Sequence, residues 1–413
     1  MSFAIRGLGT AHPPDAVTPD DGLGIARFLA GPDVRTSTWL VPLYANSGIA
    51  RRYQVIGGPV VRDVLNGTTV SGSPFLPTAA NDGVGPTTGE RMQIYAEEAG
   101  PMAIRAAKLA LAESGFEAGS ITHLVTVSCT GFAAPGVDFA LIRGLGLRPT
   151  VERTHVGFMG CHGALNGLRV ANAFASANPE ARVLVCAVEM CSLHYYYGND
   201  ADKLVANAIF ADGAAAVVGC QEPNPPAPFP KREGGARSCS PPHLGGGLGE
   251  GFAEPNPPAP FPKREGGEGE GSSWSLSASG SCLIPESAEA MGWKVGDHGF
   301  EMMMSRQIPT LIARHLRPWL ESWLNDNGLS LEEVRSWAVH PGGPKILTAV
   351  QEGLGLSPQA LATSWGVFKD YGNMSSPTVL FVLDRLRREN APRPCVALGF
   401  GPGLVAEAAL FTE

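Results

Sequence analysis

Two runs of alternating apolar strands and amphipathic helices, one on each side of a proline- and glycine-rich stretch, restrict this chain to an α/β architecture. In the first run, Ala4 to Gly9, His123 to Ser128, Arg182 to Val188 and Gly213 to Gly219 read as strands. Pro101 to Ser114 reads as a helix rich in Ala and Leu, and Gly163 to Asn178 as another. The second run repeats the theme. Phe300 to Leu324 and Ser376 to Glu389 read as helical, with strands at Val334 to Val339, Cys395 to Phe400 and Leu404 to Phe411. The predicted division is therefore 1–220, an insertion at 221–273, and 274–413, and 413 residues suffice to bury a large core on both sides.

The insertion has its own signature. Glu222-Pro-Asn-Pro-Pro-Ala-Pro-Phe-Pro-Lys-Arg-Glu-Gly-Gly235 recurs letter for letter at Glu254 to Gly267. Prolines cannot donate to a strand ladder, glycines add chain entropy, and few apolar side chains are present to offset the cost of ordering. A disordered surface loop between two core strands is expected, because a long loop there costs little extra closure entropy. The proline-rich copies are of a kind that a polyproline-reading domain binds, but a duplication passively tolerated on the surface is by far the favoured reading.

Charge and cysteine usage exclude several classes. With 31 basic and 39 acidic residues the formal net charge is −8, and no basic tract stands out, so nucleic acid is not an expected partner. Eight cysteines without a Cys-x-x-Cys pair point to a reducing compartment, with no structural zinc or other metal and no disulfide framework. The N-terminal text lacks a basic leader with a sustained apolar stretch, and no run reaches the length needed to span a bilayer. A soluble, cytoplasmic protein is expected.

Three polar side chains stand where chemistry is done. Cys161 follows a glycine and precedes the helix predicted from Gly163, so its sulfur lies near a helix N-terminus, where free N–H groups favour thiolate over thiol. The segment alone fits an inert buried cysteine as well as a nucleophile. His340 ends a short apolar strand and is followed by Pro-Gly-Gly-Pro344; Asn373 lies in Asp370-Tyr-Gly-Asn-Met-Ser-Ser376 ahead of an apolar helix. Alone, the histidine reads as structural and the asparagine as a helix cap. Together they supply a nucleophile, a proton-handling ring and a neutral amide donor, the set that acyl transfer through a thioester requires.

These segments, with Asp212-Gly-Ala-Ala-Ala216 and Gly399-Phe-Gly-Pro-Gly403, occur in the order and spacing of one family. The chain resembles the type III polyketide synthases, the chalcone-synthase-like branch of the thiolase superfamily, in a bacterial type, from about Ala4 to Phe411 with one interruption. The resemblance implies a five-layered αβαβα fold of two similar halves, usually a homodimer, which works on acyl-CoA and malonyl-CoA without a further cofactor. An acidic chain would need a local cluster of positive charge to hold such substrates.

By the same resemblance, Cys161 accepts a starter acyl group and holds the growing chain. His340 pairs with the thiolate and, with Asn373, donates to the thioester or enolate oxygen. Phe210 matches a gatekeeper between the CoA tunnel and the cavity. Cys129 and His194 stand where plant enzymes carry threonine, Trp293 where a small residue controls cavity volume, and Ala134 where a larger residue crosses the dimer interface; chalcone itself is then not the expected product. Ser375 matches a serine near the nucleophile. Arg52, with Arg51, and Lys345 fall near CoA-phosphate contacts. His162, adjacent to the nucleophile, is not expected to serve as its base, because neighbouring residues at a helix start point in different directions. Phe381 and Asp212 are expected to serve the fold. Two alternatives remain at this level: a β-ketoacyl-ACP synthase III-like single condensation, which the Met374-Ser-Ser376 and Gly399 to Gly403 text disfavours, and a silent thiolase-fold scaffold, which would have lost one of the three polar residues.

Overall fold

The computed structural model describes residues 2–29, 37–76, 83–222 and 274–413. The proline-rich repeats and the loop expected around them lie outside the described residues.

The strands in chain order are β1 (Phe3–Ala11), β2 (Ala16–Val17), β3 (Arg52–Tyr53), β4 (His123–Ser128), β5 (Glu152–Gly157), β6 (Arg182–Met190) and β7 (Asp212–Gln221), then β8 (Trp274–Leu283), β9 (Met291–Gly296), β10 (Gly299–Met304), β11 (Ser336–Val339), β12 (Cys395–Gly401) and β13 (Val405–Thr412). Nine of them form one hydrogen-bonded sheet, in the order β11-β12-β13-β8-β1-β7-β6-β4-β5. The four-strand pattern β4-β6-β7-β1, one parallel pair followed by two antiparallel pairs, recurs as β11-β12-β13-β8. The two halves meet where Phe3–Ile5 of β1 pairs with Trp274–Leu276 of β8.

Side chains alternate across these strands, and the alternation builds the layers. On β6, Val183, Val185 and Ala187 face a central core, while Leu184, Cys186 and Val188 face a second one. On β12, Cys395 and Ala397 join the central core, while Val396, Leu398 and Phe400 join a third. Two helices fill the centre, Gly163–Ala177 and Thr378–Arg388. The second is buried on every side from Thr378 to Leu383, as a helix covered on both sides must be, becomes charged in its last turn, and carries Phe381 into the core as expected. Thr88–Ser114 covers the outer face of the first half; Ile308–Asp326 and Pro344–Leu354 cover that of the second. The stack is helix, sheet, helix, sheet, helix, which is the thiolase-like αβαβα arrangement.

Two elements differ from the sequence expectation. Phe300 to Met304 is strand β10, not the start of a helix. Gly299, at φ +109°, turns the chain back on β9, and Glu301 and Met303 then alternate outward. Helix Thr88–Ser114 begins 13 residues before Pro101, which lies inside it. Its true start is a reciprocal cap between Thr87 and Glu90.

Candidate active site

Cys161 sits on a short 3-10 turn, Gly160–His162, that runs directly into the helix from Gly163. Gly160 takes φ +69°, and a Cβ there would lie 2.4 Å from Cδ of Pro402. Gly399 and Gly401 clear the His162 side chain in the same way; a Cβ on Gly401 would lie 2.4 Å from its ring. The terminal Gly-Phe-Gly-Pro-Gly motif is thus the seat of the Cys161 turn. Gly401→Ala is expected to destabilise the protein by about 1–3 kcal/mol through overpacking and to lower activity with it; thermal denaturation measures the first and turnover the second, and a wild-type melting temperature would contradict the packing argument.

His162 is buried, its Nδ1 2.8 Å from Oδ1 of Asn166, and it does not line the cavity that Cys161 faces.

Asn373 is stitched to the segment bearing Phe210. Its N–H donates to the Ile209 carbonyl (2.9 Å), and its carbonyl accepts from the Ala211 N–H (2.8 Å). Its Oδ1 accepts the Ser375 N–H at 2.8 Å, and its Nδ2 donates to the Gly342 carbonyl at 3.2 Å, two residues past His340. Ser375 adopts the left-handed conformation (φ +58°), with its Oγ 3.5 Å from Sγ of Cys129. Ser375 and Asn373 also act on the Cys161 thiol, and both pull its pKa down. Cys161, Asn373 and Ser375 therefore lie in one neighbourhood.

The ring of His340 is buried and neither nitrogen has a hydrogen-bond partner among the described residues. It makes no hydrogen bond to Cys161. Burial, and then the neighbouring His162, push its pKa down to about 3. Burial pushes the Cys161 thiol up to about 11, against the pull of the Ser375 and Asn373 hydrogen bonds. Burial therefore opposes the thiolate that the helix terminus is expected to favour. Burial thus favours the neutral form of both groups, thiol and imidazole.

Cys161 and Ser375 open onto a cavity of about 440 Å³ that is also lined by Cys129, His194, Phe210 and Trp293. His194 Nε2 donates to the Thr130 carbonyl (2.6 Å), so its Nδ1 accepts the Phe300 N–H (2.9 Å). Burial lowers its pKa to about 4, and the ring stays neutral. His194, Phe300 and Trp293 stack face to face, with ring centroids 4.1 and 5.0 Å apart, as one aromatic wall.

Arg52 corrects the sequence reading. It is buried and donates to the carbonyls of Asn207 (2.6 Å) and Phe210 (2.8 Å), so it fixes the Phe210 segment and is not a surface group for a phosphate. Lys345 is exposed at the start of helix Pro344–Leu354, outside the cavity lining. Asp212 accepts from the Val55 and Ser192 N–H groups (2.7 Å each) and serves the fold, as expected.

Several residues of this neighbourhood escaped the sequence reading. Cys191, Tyr196, Lys203 and Phe300 line the cavity. The buried carboxylate of Glu189 accepts from the Cys129 and Thr130 N–H groups and from the Ser376 hydroxyl (2.6 Å), and so holds Cys129 in place. Only Glu189 had a usable signal, as an acid inside an apolar strand. Among the described residues no cluster of metal-ligating side chains occurs, and no helix is long and apolar enough to cross a membrane.

The layers define a thiolase-like fold, with Cys161 opening onto its cavity. Models of the chalcone and stilbene synthases match on both sides of the insertion, the N-terminal domain over residues 76–223 and the C-terminal domain over residues 275–413. Alpha-pyrone synthesis polyketide synthase-like Pks18 of Mycobacterium tuberculosis is 31% identical over 330 residues, 79% of this chain and 73% of that protein. Bisdemethoxycurcumin synthase of Oryza sativa subsp. japonica is 30% identical over 426 residues, 98% of this chain and 91% of that protein. The crystal structure of PKS-I from the brown alga Ectocarpus siliculosus superposes with a TM-score of 0.82 at 29% identity, covering 100% of this chain and 99% of that one. The chain belongs to the chalcone and stilbene synthase family, the type III polyketide synthases. It is an acyltransferase of the decarboxylating-condensation type, in a family that uses CoA thioesters as substrates and needs no cofactor.

Proposed function

We propose that Cys161 loads an acyl-CoA starter and extends it with malonyl-CoA, and that the product leaves as a pyrone, a resorcinol or a related cyclised polyketide. His340 takes the proton of the Cys161 thiol, and the thiolate attacks the starter's acyl carbon. CoA leaves as its thiolate and receives that proton. Malonyl-CoA then loses CO₂, and its electron pair becomes an enolate whose oxygen is held by His340 and by the second N–H of the Asn373 amide. The enolate carbon attacks the Cys161 thioester, the cysteine sulfur departs, and the extended chain on CoA reloads for the next round. The observation that supports this reading is the grouping of Cys161 with Asn373 and Ser375, both of which pull its thiol pKa down, while the buried His340 ring has no hydrogen-bond partner among the described residues. Removing one oxyanion donor, by Asn373→Ala, is expected to lower turnover by about 10²–10³-fold; malonyl-CoA-dependent product formation measures it, and an unchanged rate would remove Asn373 from the site.

Product class rests on the cavity. Phe210, Cys129, His194, Trp293 and Ser375 are proposed to shape it, and Lys345 to meet the CoA phosphates from the surface. A tight aromatic wall favours a short or folded chain, and one relative's name includes α-pyrone synthesis. Trp293→Ala opens that wall, and is expected to shift product masses upward by whole malonyl-derived units when a panel of starter CoA esters is assayed. An unchanged distribution would mean that Trp293 does not limit chain growth. A cytoplasmic homodimer completes the proposal. It is supported by the exposure of Phe132, Phe158 and Met159 and by the free state of the seven described cysteines.

A further inference from the structure

The cavity has two ends of different construction. One holds Cys161 and Phe210, the latter capping the helix Ala201–Ile209 at its C-terminus. Lys203 lies seven residues back on that helix, about 10 Å along its axis at 1.5 Å per residue. It lines the same cavity, together with Glu301 on β10. There Nζ of Lys203 donates to Oε2 of Glu301 at 2.7 Å and sits 5.0 Å over the Tyr196 ring. Side-chain exposures of 24% and 52% place this pair at solvent. A second ion pair outside the cavity, Arg306 to Asp202 at 2.9 Å, ties the same helix to the segment after β10.

The near end is walled by backbone and aromatic rings. About 10 Å along that helix from Phe210 the lining includes the Lys203–Glu301 ion pair, and lysine's apolar stem lets it border an apolar chain while its ammonium stays wet. We infer that Lys203, held on Glu301, is a specificity-determining residue that closes the end of the cavity remote from Cys161 and thereby limits how long an acyl chain the enzyme accepts. This rests on the function proposed above. An acyl chain bound to Cys161 that reaches past the Lys203 level must displace the pair or fold back, whereas a short chain ends before it. Exposed ion pairs are weak, so the limit is one of preference, not of absolute exclusion.

The test compares hexanoyl-CoA and palmitoyl-CoA as starters, read as kcat/KM with malonyl-CoA and as acyl loading of Cys161 by intact mass. Lys203→Ala is expected to raise the palmitoyl-to-hexanoyl ratio by about tenfold, the scale on which pocket contacts discriminate chains. Glu301→Gln, which keeps the shape and removes the charge, is expected to move the ratio in the same direction and covers the case in which Lys203→Ala folds poorly. Arg306→Ala breaks only the outer pair and is expected to leave the ratio at the wild-type value, which separates closure of the cavity from mere loosening of the helix. A ratio unmoved in both Lys203→Ala and Glu301→Gln overturns the inference while hexanoyl loading persists. Wild-type protein that loads neither starter on Cys161 contradicts the proposed function instead.

Discussion

Cys161→Ala is expected to lower polyketide formation by about 10⁶-fold, the loss seen when a nucleophile is removed from a site whose parts act as a unit. Substrates remain bound beside the same donors, yet no thioester forms and the enolate has no acyl carbon to attack. The fold should survive. Cys161 lies on a 3-10 turn held from below by Gly160 against Pro402 and by His162 against Gly399 and Gly401, none of which involves the sulfur. A stability loss of about 1 kcal/mol or less is expected for so small a truncation. Product mass analysis and a thermal melt measure the two quantities separately. Elongation of malonyl units by a well-folded variant would show that another thiol carries the chain, and Cys129 and Cys191 line the same cavity.

The second large effect concerns His340. His340→Gln keeps polar bulk in the buried site but cannot accept the thiol proton, and turnover is expected to fall by about 10²–10⁴-fold. Its mechanistic mark is a pH profile. Burial raises the sulfur toward about 11 when nothing nearby takes its proton. Iodoacetamide alkylates thiolate, so the rate of Cys161 labelling reports ionisation. In the variant, the midpoint of labelling should lie high, toward about 11, because raising a thiol's pKa leaves less thiolate at any lower pH. In the wild type, proton transfer to the imidazole supplies thiolate at lower pH, and the midpoint should lie below that of the variant. Coincident profiles would deny His340 the proton-accepting role, whatever its effect on turnover.

How far the site could be read from sequence depended on whether a residue's task is local. Gly160, Cys161 and the Gly399–Gly403 text do their work through backbone geometry that short motifs encode, and they were found. The layers were equally legible, because alternation on β6 and β12 sorts side chains into two cores regardless of the partner strand. Strand β10 was not, since Phe300 to Met304 carries helix-forming methionines and only the turn at Gly299, made by tertiary contact with β9, decides its state. Arg52 was misplaced because a motif-adjacent arginine looks alike in sequence whether it faces solvent or the Phe210 carbonyl. Nor does sequence reveal the cost of burial, which moves Cys161 and His340 in opposite directions toward neutrality. Lys203 and Glu301, 98 positions apart, meet only in the folded chain.

The central claim is that the acyl chain rides on the sulfur of Cys161. Brief incubation with a starter acyl-CoA, followed by proteolysis and mass analysis, tests it most directly, because three free thiols line one cavity and only one can be the carrier. The account predicts a hydroxylamine-labile acyl adduct on the peptide containing Cys161, absent from Cys161→Ala. An adduct confined to Cys129 or Cys191, or one that persists in Cys161→Ala, would contradict it.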